Sequence, residues 1–122
     1  MNALLIVAHG SRKQESNEDV MALVGQIEEM ADGVFDWVRC AFVQFATPSF
    51  DTQIEDLVKR GATTVVVFPH FLGSGSHVSK DIPELVKKAA EEHPGLRLRT
   101  TPHLGKISGV TELIFNQAKA FL

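Results

Sequence analysis

The sequence is poor in three things, and each shortage removes a class of explanation. Cysteine occurs once in 122 residues, so an internal disulfide is impossible. Cys40 falls in a predicted strand and reads as a small buried hydrophobe, in keeping with a reducing compartment. Positive charge is not in excess: 12 Lys and Arg stand against 15 Asp and Glu. A nucleic-acid partner would need a basic face, which the balance does not signal. Long apolar runs are missing as well. The N-terminal MNALLIVAHGSR offers about six apolar residues in succession and no basic lead, too short for a signal-peptide core or a membrane span. Internal repeats, linkers and low-complexity segments are also absent. The expectation is one cytoplasmic domain over residues 1–122, without a membrane or nucleic-acid partner. Its 44% hydrophobic content is enough for an ordinary core without staples.

What the sequence does contain is alternation. Ala3 to Ala8 is a continuous apolar strand. Ser16 to Ala31 carries Val20, Leu23, Val24, Ile27 and Ala31 at helical spacing. Val34 to Val43 is a second strand, interrupted by Asp36 and Arg39. Thr47-Pro48 reads as an N-cap followed by proline at the first helical position, opening a helix to Lys59 with Phe50, Ile54, Leu57 and Val58 inward. Thr64 to Phe68 is again apolar on both faces. A third helix is expected from about Lys80 to Glu92, with Pro83 in its first turn, where a missing N–H is harmless. Leu96 to Thr100 alternates Leu and Arg. Ser108 to Phe121 closes the chain as a helix with Val110, Leu113, Ile114, Ala118 and Phe121 inward.

Four strands alternating with four helices predict an α/β fold: an open four-stranded parallel sheet with helices on both faces. Strands one and three, apolar on both sides, belong in the centre. Right-handed crossovers then give the order 2-1-3-4, a flavodoxin-like topology. The switch between strands one and three is where such sheets bind ligands, beyond the carboxyl ends of the strands. His9 follows strand one, His70 and His77 follow strand three, and His103 follows strand four. Four of five histidines are therefore expected on one rim, with His93 a solvated helix cap. Two imidazoles from different loops suggest a metal site or an acid/base pair. Gly73-Ser74-Gly75-Ser76 precedes a helix and could cradle phosphate, yet it lacks the P-loop ending. A broad flat ligand against this backbone, over a floor of Phe45, Phe71 and Leu72, is the other reading. Arg12, Lys13, Lys80 and Lys106 beside the rim could steer an anion. A histidine phosphatase is a weaker reading: such enzymes place arginine immediately before the histidine, and here the residue is Ala8.

The segments ALLIVAHGSR, AFVQFATPSF and VVVFPHFLGSGSHVSKDIP, in this order and spacing, resemble those of the small sirohydrochlorin chelatases. These are class II tetrapyrrole chelatases of cobalamin, siroheme and related pathways. The resemblance runs over nearly the whole chain. It implies the chelatase-like fold, a homodimer, and insertion of Co²⁺, Fe²⁺ or Ni²⁺ into sirohydrochlorin or a related tetrapyrrole. The metal would be a substrate, and no organic cofactor is expected. By the same resemblance His9 and His77 would bind the metal, and His9 would also be catalytic, taking protons from pyrrole nitrogens. Leu72, Gly73, Ser74, Gly75, Ser76 and His77 would line the macrocycle, with Ser11, Arg12, Gln44 and Thr47 completing the substrate site.

The chain departs from the family at two of those positions. A glutamate is common where Gln44 stands, and often another acid where Thr47 stands. Gln44 donates and accepts hydrogen bonds but takes no proton at neutral pH. His70 and His103 are candidates to substitute for it. Two readings stay open: a chelatase, or a protein of the same fold that binds metal or tetrapyrrole without inserting one into the other.

Overall fold

The computed structural model spans residues 1–122 and describes every side chain except that of His77. Apolar runs at the predicted places form β1 (Asn2–Ala8), β2 (Trp37–Phe42), β3 (Thr64–Pro69) and β4 (Arg97–Thr100). They pair in parallel in the order β2-β1-β3-β4. The helices are α1 (Gln14–Met30), α2 (Phe50–Lys59), α3 (Ile82–Glu92) and α4 (Gly109–Lys119). A π-helical turn, His77–Asp81, leads into α3, and a 3₁₀ turn, Leu104–Lys106, precedes α4. Among the described residues no helix is long and apolar enough to cross a membrane.

Strand alternation divides the core into two layers, because successive side chains point to opposite faces. Ala3, Leu5 and Val7 of β1 and Val65 and Val67 of β3 pack against Phe50, Ile54 and Leu57 of α2 and Ile82 and Ala89 of α3. Ile6 and Ala8, with Val38, Cys40 and Phe42 of β2, pack against Val24 and Ala31 on the α1 side. Cys40 is buried, and its desolvated thiol is pushed above its usual pKa. Trp37 of β2 packs against the α2 and α3 layer.

Three local expectations are corrected. Thr47 does not cap α2. The Pro48 carbonyl accepts from the Phe42 N–H at 2.9 Å, which keeps residues 48 and 49 extended beside β2. Ser49 takes the cap, its hydroxyl accepting from the Thr52 N–H at 3.2 Å, and the helix starts at Phe50. Val34 to Asp36 is not strand: Val34 is exposed, and Asp36 turns back so that its carboxylate accepts from the Asn2 N–H.

The third correction is larger. The apolar stripe of α4 does not face inward, and no residue of this helix is buried. Leu113 is 68% exposed, Ile114 64% and Phe121 83%. The helix packs mainly against the preceding 3₁₀ turn and not on the sheet. On the α1 side, Leu4, Val66 and Phe68 remain half-buried, and Arg97 and Arg99 of β4 are exposed. A helix without a sheet and a sheet strip without a helix thus coexist in one chain.

Candidate functional site

The loops after β1 and β2 are joined by backbone. The ladder continues past the strands, with the Val43 N–H bonded to the Ala8 carbonyl and the Gln44 N–H to the His9 carbonyl at 3.0 Å. Gly10 makes the approach possible. Its φ is +90°, and a Cβ there would lie 1.8 Å from the Gln44 carbonyl oxygen, so only glycine fits. The loops after β3 and β4 are clamped in the same way: a Cβ on Gly105 would lie 1.8 Å from the Leu72 carbonyl oxygen. The His70 N–H bonds to the Val7 carbonyl at 2.8 Å. The loop after β3 therefore leaves the sheet beside the loop that carries His9, at the switch between β1 and β3.

His9 has a defined tautomer. Its Nδ1 lies 2.7 Å from the Gly10 carbonyl oxygen, which can only accept, so Nδ1 carries the proton and donates. The neutral ring then presents a lone pair at Nε2. The Gln44 Nε2 lies 2.9 Å from that atom, so the amide NH₂ donates to it. His9 is thereby fixed in orientation by two bonds, as ligating or proton-accepting imidazoles are.

Ser11 and Arg12 continue the loop. The Ser11 hydroxyl accepts from the Lys13 N–H, so it serves the turn. Asn17 of α1, 2% exposed, grips Ser11 from below. Its carbonyl accepts from the Ser11 N–H at 2.9 Å and its NH₂ donates to the Ser11 carbonyl at 2.8 Å. Sequence reasoning missed Asn17. The signal was present: Asn17 occupies the apolar stripe of α1, three residues before Val20 and seven before Val24. A polar residue there has to satisfy its amide inside the fold.

Phe45 has a positive φ of 63°, the one such non-glycine residue among the described ones. The residue is half exposed. The ring centroid lies 6.1 Å from that of His9, and the Arg12 guanidinium lies 4.6 Å from it. Beyond it opens a recess of about 660 Å³ lined by Gln14, Asn17, Met21, Phe45, Ala46 and Thr47. Thr47, displaced from its expected capping role, is thus on the wall of this recess.

The structure brings His9, Ser11, Arg12, Gln44, Phe45 and Thr47 into one cluster. Leu72, Gly73, Ser74, Gly75 and Ser76 lie exposed in the loop after β3. A Cβ on Gly73 or Gly75 would meet nothing within 4 Å, so this backbone faces open space. Phe71 is half-buried and packs against the α2 and α3 core. The metal-ligand reading of His77 falls on a side chain outside the described residues. Among the described residues no group of three or more His, Cys, Asp or Glu is placed to hold a metal. His70 is half-buried, and desolvation pushes its pKa down. His103 is buried and lines a separate, mainly apolar cavity of about 500 Å³ with Ile82, Val86 and Thr101.

A family model described as CbiX matches residues 3–120. A sirohydrochlorin cobaltochelatase of Methanocaldococcus jannaschii is 31% identical over 93 residues, covering 76% of this chain and 64% of that protein. The chloroplastic sirohydrochlorin ferrochelatase of Arabidopsis thaliana is 36% identical over 104 residues, covering 85% of this chain and 45% of that protein. The chain thus spans less than two thirds of the length of these relatives. Among solved structures, the sirohydrochlorin chelatase SirB of Bacillus subtilis subspecies spizizenii, in complex with cobalt, superposes with a TM-score of 0.82 at 28% identity, over 98% of this chain and 50% of that one. A putative cobalamin biosynthesis CbiX protein from Marinobacter aquaeolei VT8 superposes with a TM-score of 0.82 at 26% identity, covering 98% of this chain and 96% of that one.

Proposed function

The chain belongs to the CbiX family, and from that premise we propose that it inserts a divalent metal, Co²⁺, Fe²⁺ or Ni²⁺, into sirohydrochlorin or a close relative. One observation carries the reading: His9 stands at the switch point with Nδ1 committed to a carbonyl and Nε2 presented as a lone pair. Insertion requires an ion to exchange water for ring nitrogens and two pyrrole N–H protons to leave. A neutral imidazole with a fixed lone pair can hold the ion or accept a proton. His77, on the loop that leaves the sheet beside it, is proposed as the second metal ligand. Leu72 to Ser76 are proposed as one wall for the macrocycle, and Ser11, Arg12, Gln44 and Thr47 as the other. Metal and tetrapyrrole are both substrates.

The test is anaerobic incubation of the protein with sirohydrochlorin and each metal in turn, followed by absorption. Insertion faster than the uncatalysed background is expected for at least one ion. Background rates with all three would overturn the reading. A second reading is favoured by one contact. The Gln44 amide donates to the lone pair that a metal or proton would use, which suits a binder that does not insert. Gln44→Glu separates the two. A chelatase limited by a missing proton acceptor gains about tenfold or more in insertion rate, part of the roughly 10²–10⁴-fold that a positioned acid/base group contributes; a non-catalytic binder gains nothing.

The active form is proposed to be a homodimer of a single-domain chain working in the cytoplasm. The exposed stripe Leu113, Ile114, Ala118 and Phe121 of α4 supports the dimer, because apolar patches of this kind mark interfaces.

A further inference from the structure

We propose that Phe45, with Arg12, is a stacking platform that positions a ligand which is both flat and anionic beside His9. This inference rests on the reading above and specifies how the substrate of that site would be oriented. Phe45 carries backbone strain for which its own packing gives little return. A β-carbon-bearing residue in the left-handed region costs about 1–2 kcal/mol, and such strain concentrates at functional positions. Phe45 accepts it at φ 63° while the residue stays 50% exposed, so burial compensates only in part. Glycine or asparagine would fit that backbone better, and a polar residue would suit that exposure better. Phenylalanine satisfies neither requirement, which directs attention to the exposed ring itself.

Two further observations say what the ring meets. It lies beside the His9 imidazole, with centroids 6.1 Å apart and planes tilted by 42°. A planar group resting on Phe45 would therefore be held next to Nε2 of His9. The second is Arg12, whose guanidinium covers the ring at 4.6 Å. A cation over an exposed phenyl ring is held only weakly, by about 0.5–1 kcal/mol. A neutral flat molecule would have to displace that contact. An anionic flat molecule takes over both halves of the pair: its π-face replaces the cation on the ring, and its carboxylates receive the guanidinium bidentately. The adjoining recess of about 660 Å³ gives the periphery of such a ligand room. Phe45 touches the substrate in this scheme but takes no part in proton or metal transfer.

The test uses Phe45→Gly and Phe45→Trp in the full chain. Glycine adopts a positive φ without strain, so Phe45→Gly is expected to melt at the wild-type temperature or above. Metal-free sirohydrochlorin binding, read by absorption and fluorescence titration, should weaken about tenfold in Phe45→Gly. Phe45→Trp should restore it to within about twofold. Binding of Co²⁺ alone should be unchanged in both, and in the insertion assay KM should rise in Phe45→Gly with kcat largely kept. Wild-type tetrapyrrole affinity in Phe45→Gly overturns the platform, as does parallel loss of Co²⁺ and tetrapyrrole binding. The two readings fail separately. A wild-type protein that binds the tetrapyrrole through Phe45 without inserting metal removes the insertion activity and keeps the platform. Normal insertion untouched by Phe45→Gly removes the platform alone. A wild-type protein that binds no tetrapyrrole removes both.

Discussion

Asn17 shows how much a single buried side chain determines at the site. It satisfies both the N–H and the carbonyl of Ser11 from a position 2% exposed to solvent. Asn17→Ala removes both partners at once. An unpaired buried polar group costs about 1–3 kcal/mol, so the variant should lose stability of at least that order in urea unfolding. The proposed insertion activity should fall with it, because the His9 loop loses its anchor. Wild-type stability in Asn17→Ala would mean that solvent replaces the amide at no cost. The residue was legible in principle as a polar interruption of an apolar stripe. What it bonds to was not, because the Ser11 backbone reaches it only after the loop folds back over the helix.

His70 allows a pH dependence to be assigned in direction. Burial lowers its pKa from the ordinary value of about 6.5, so the unfolded chain takes up this proton before the folded one does. Stability from the neutral imidazole is complete above about pH 6.5 and is lost as pH falls through the lowered folded value. Melting temperature should therefore decline on mild acidification below pH 6.5, and His70→Gln should flatten that decline. Asp56, whose carboxylate is held below its usual range by hydrogen bonds from Arg39 and Arg60, acts in the same direction in stronger acid. An unchanged slope in His70→Gln would show that the imidazole stays hydrated.

Elements were more legible than their ends. All four strands and all four helices lie where apolar periodicity places them, since period 2 and period 3.6 are written in the side chains that face the core. The start of α2 was misread because Thr47-Pro48 has the form of a cap and N1 proline. The decision belongs to the Pro48 carbonyl, which pairs with Phe42 across the sheet edge and moves the cap to Ser49. Ser49→Ala should accordingly cost about 0.5–2 kcal/mol of stability and Thr47→Ala much less, as thermal unfolding of the two variants would show. A larger loss in Thr47→Ala would restore the earlier cap. Helix α4 was read correctly as a helix and wrongly as to what covers it. Its stripe is genuine, but periodicity says only that one face avoids water, not which surface in space it meets.

At the scale of the whole molecule, the exposed stripe of α4 and the half-covered strip of Leu4, Val66 and Phe68 bear on the proposed dimer. Replacing Leu113 and Ile114 together by Asp should halve the mass found by light scattering if that stripe is the interface, since an ionised carboxylate buried without a partner is strongly disfavoured. A wild-type monomer, or a variant that keeps the dimer mass, would argue against the interface. The sequence by itself determined the parallel sheet, its strand order and the rim on which His9 stands, because alternation, burial of the central strands and crossover handedness leave few alternatives. Only the tertiary structure decided the tautomer of His9, the bond from Gln44, the strained and exposed ring of Phe45 and the direction of α4. The Gln44 bond joins segments 35 residues apart, and the others follow from how each loop or helix is finally turned in space, of which local sequence patterns carry no record.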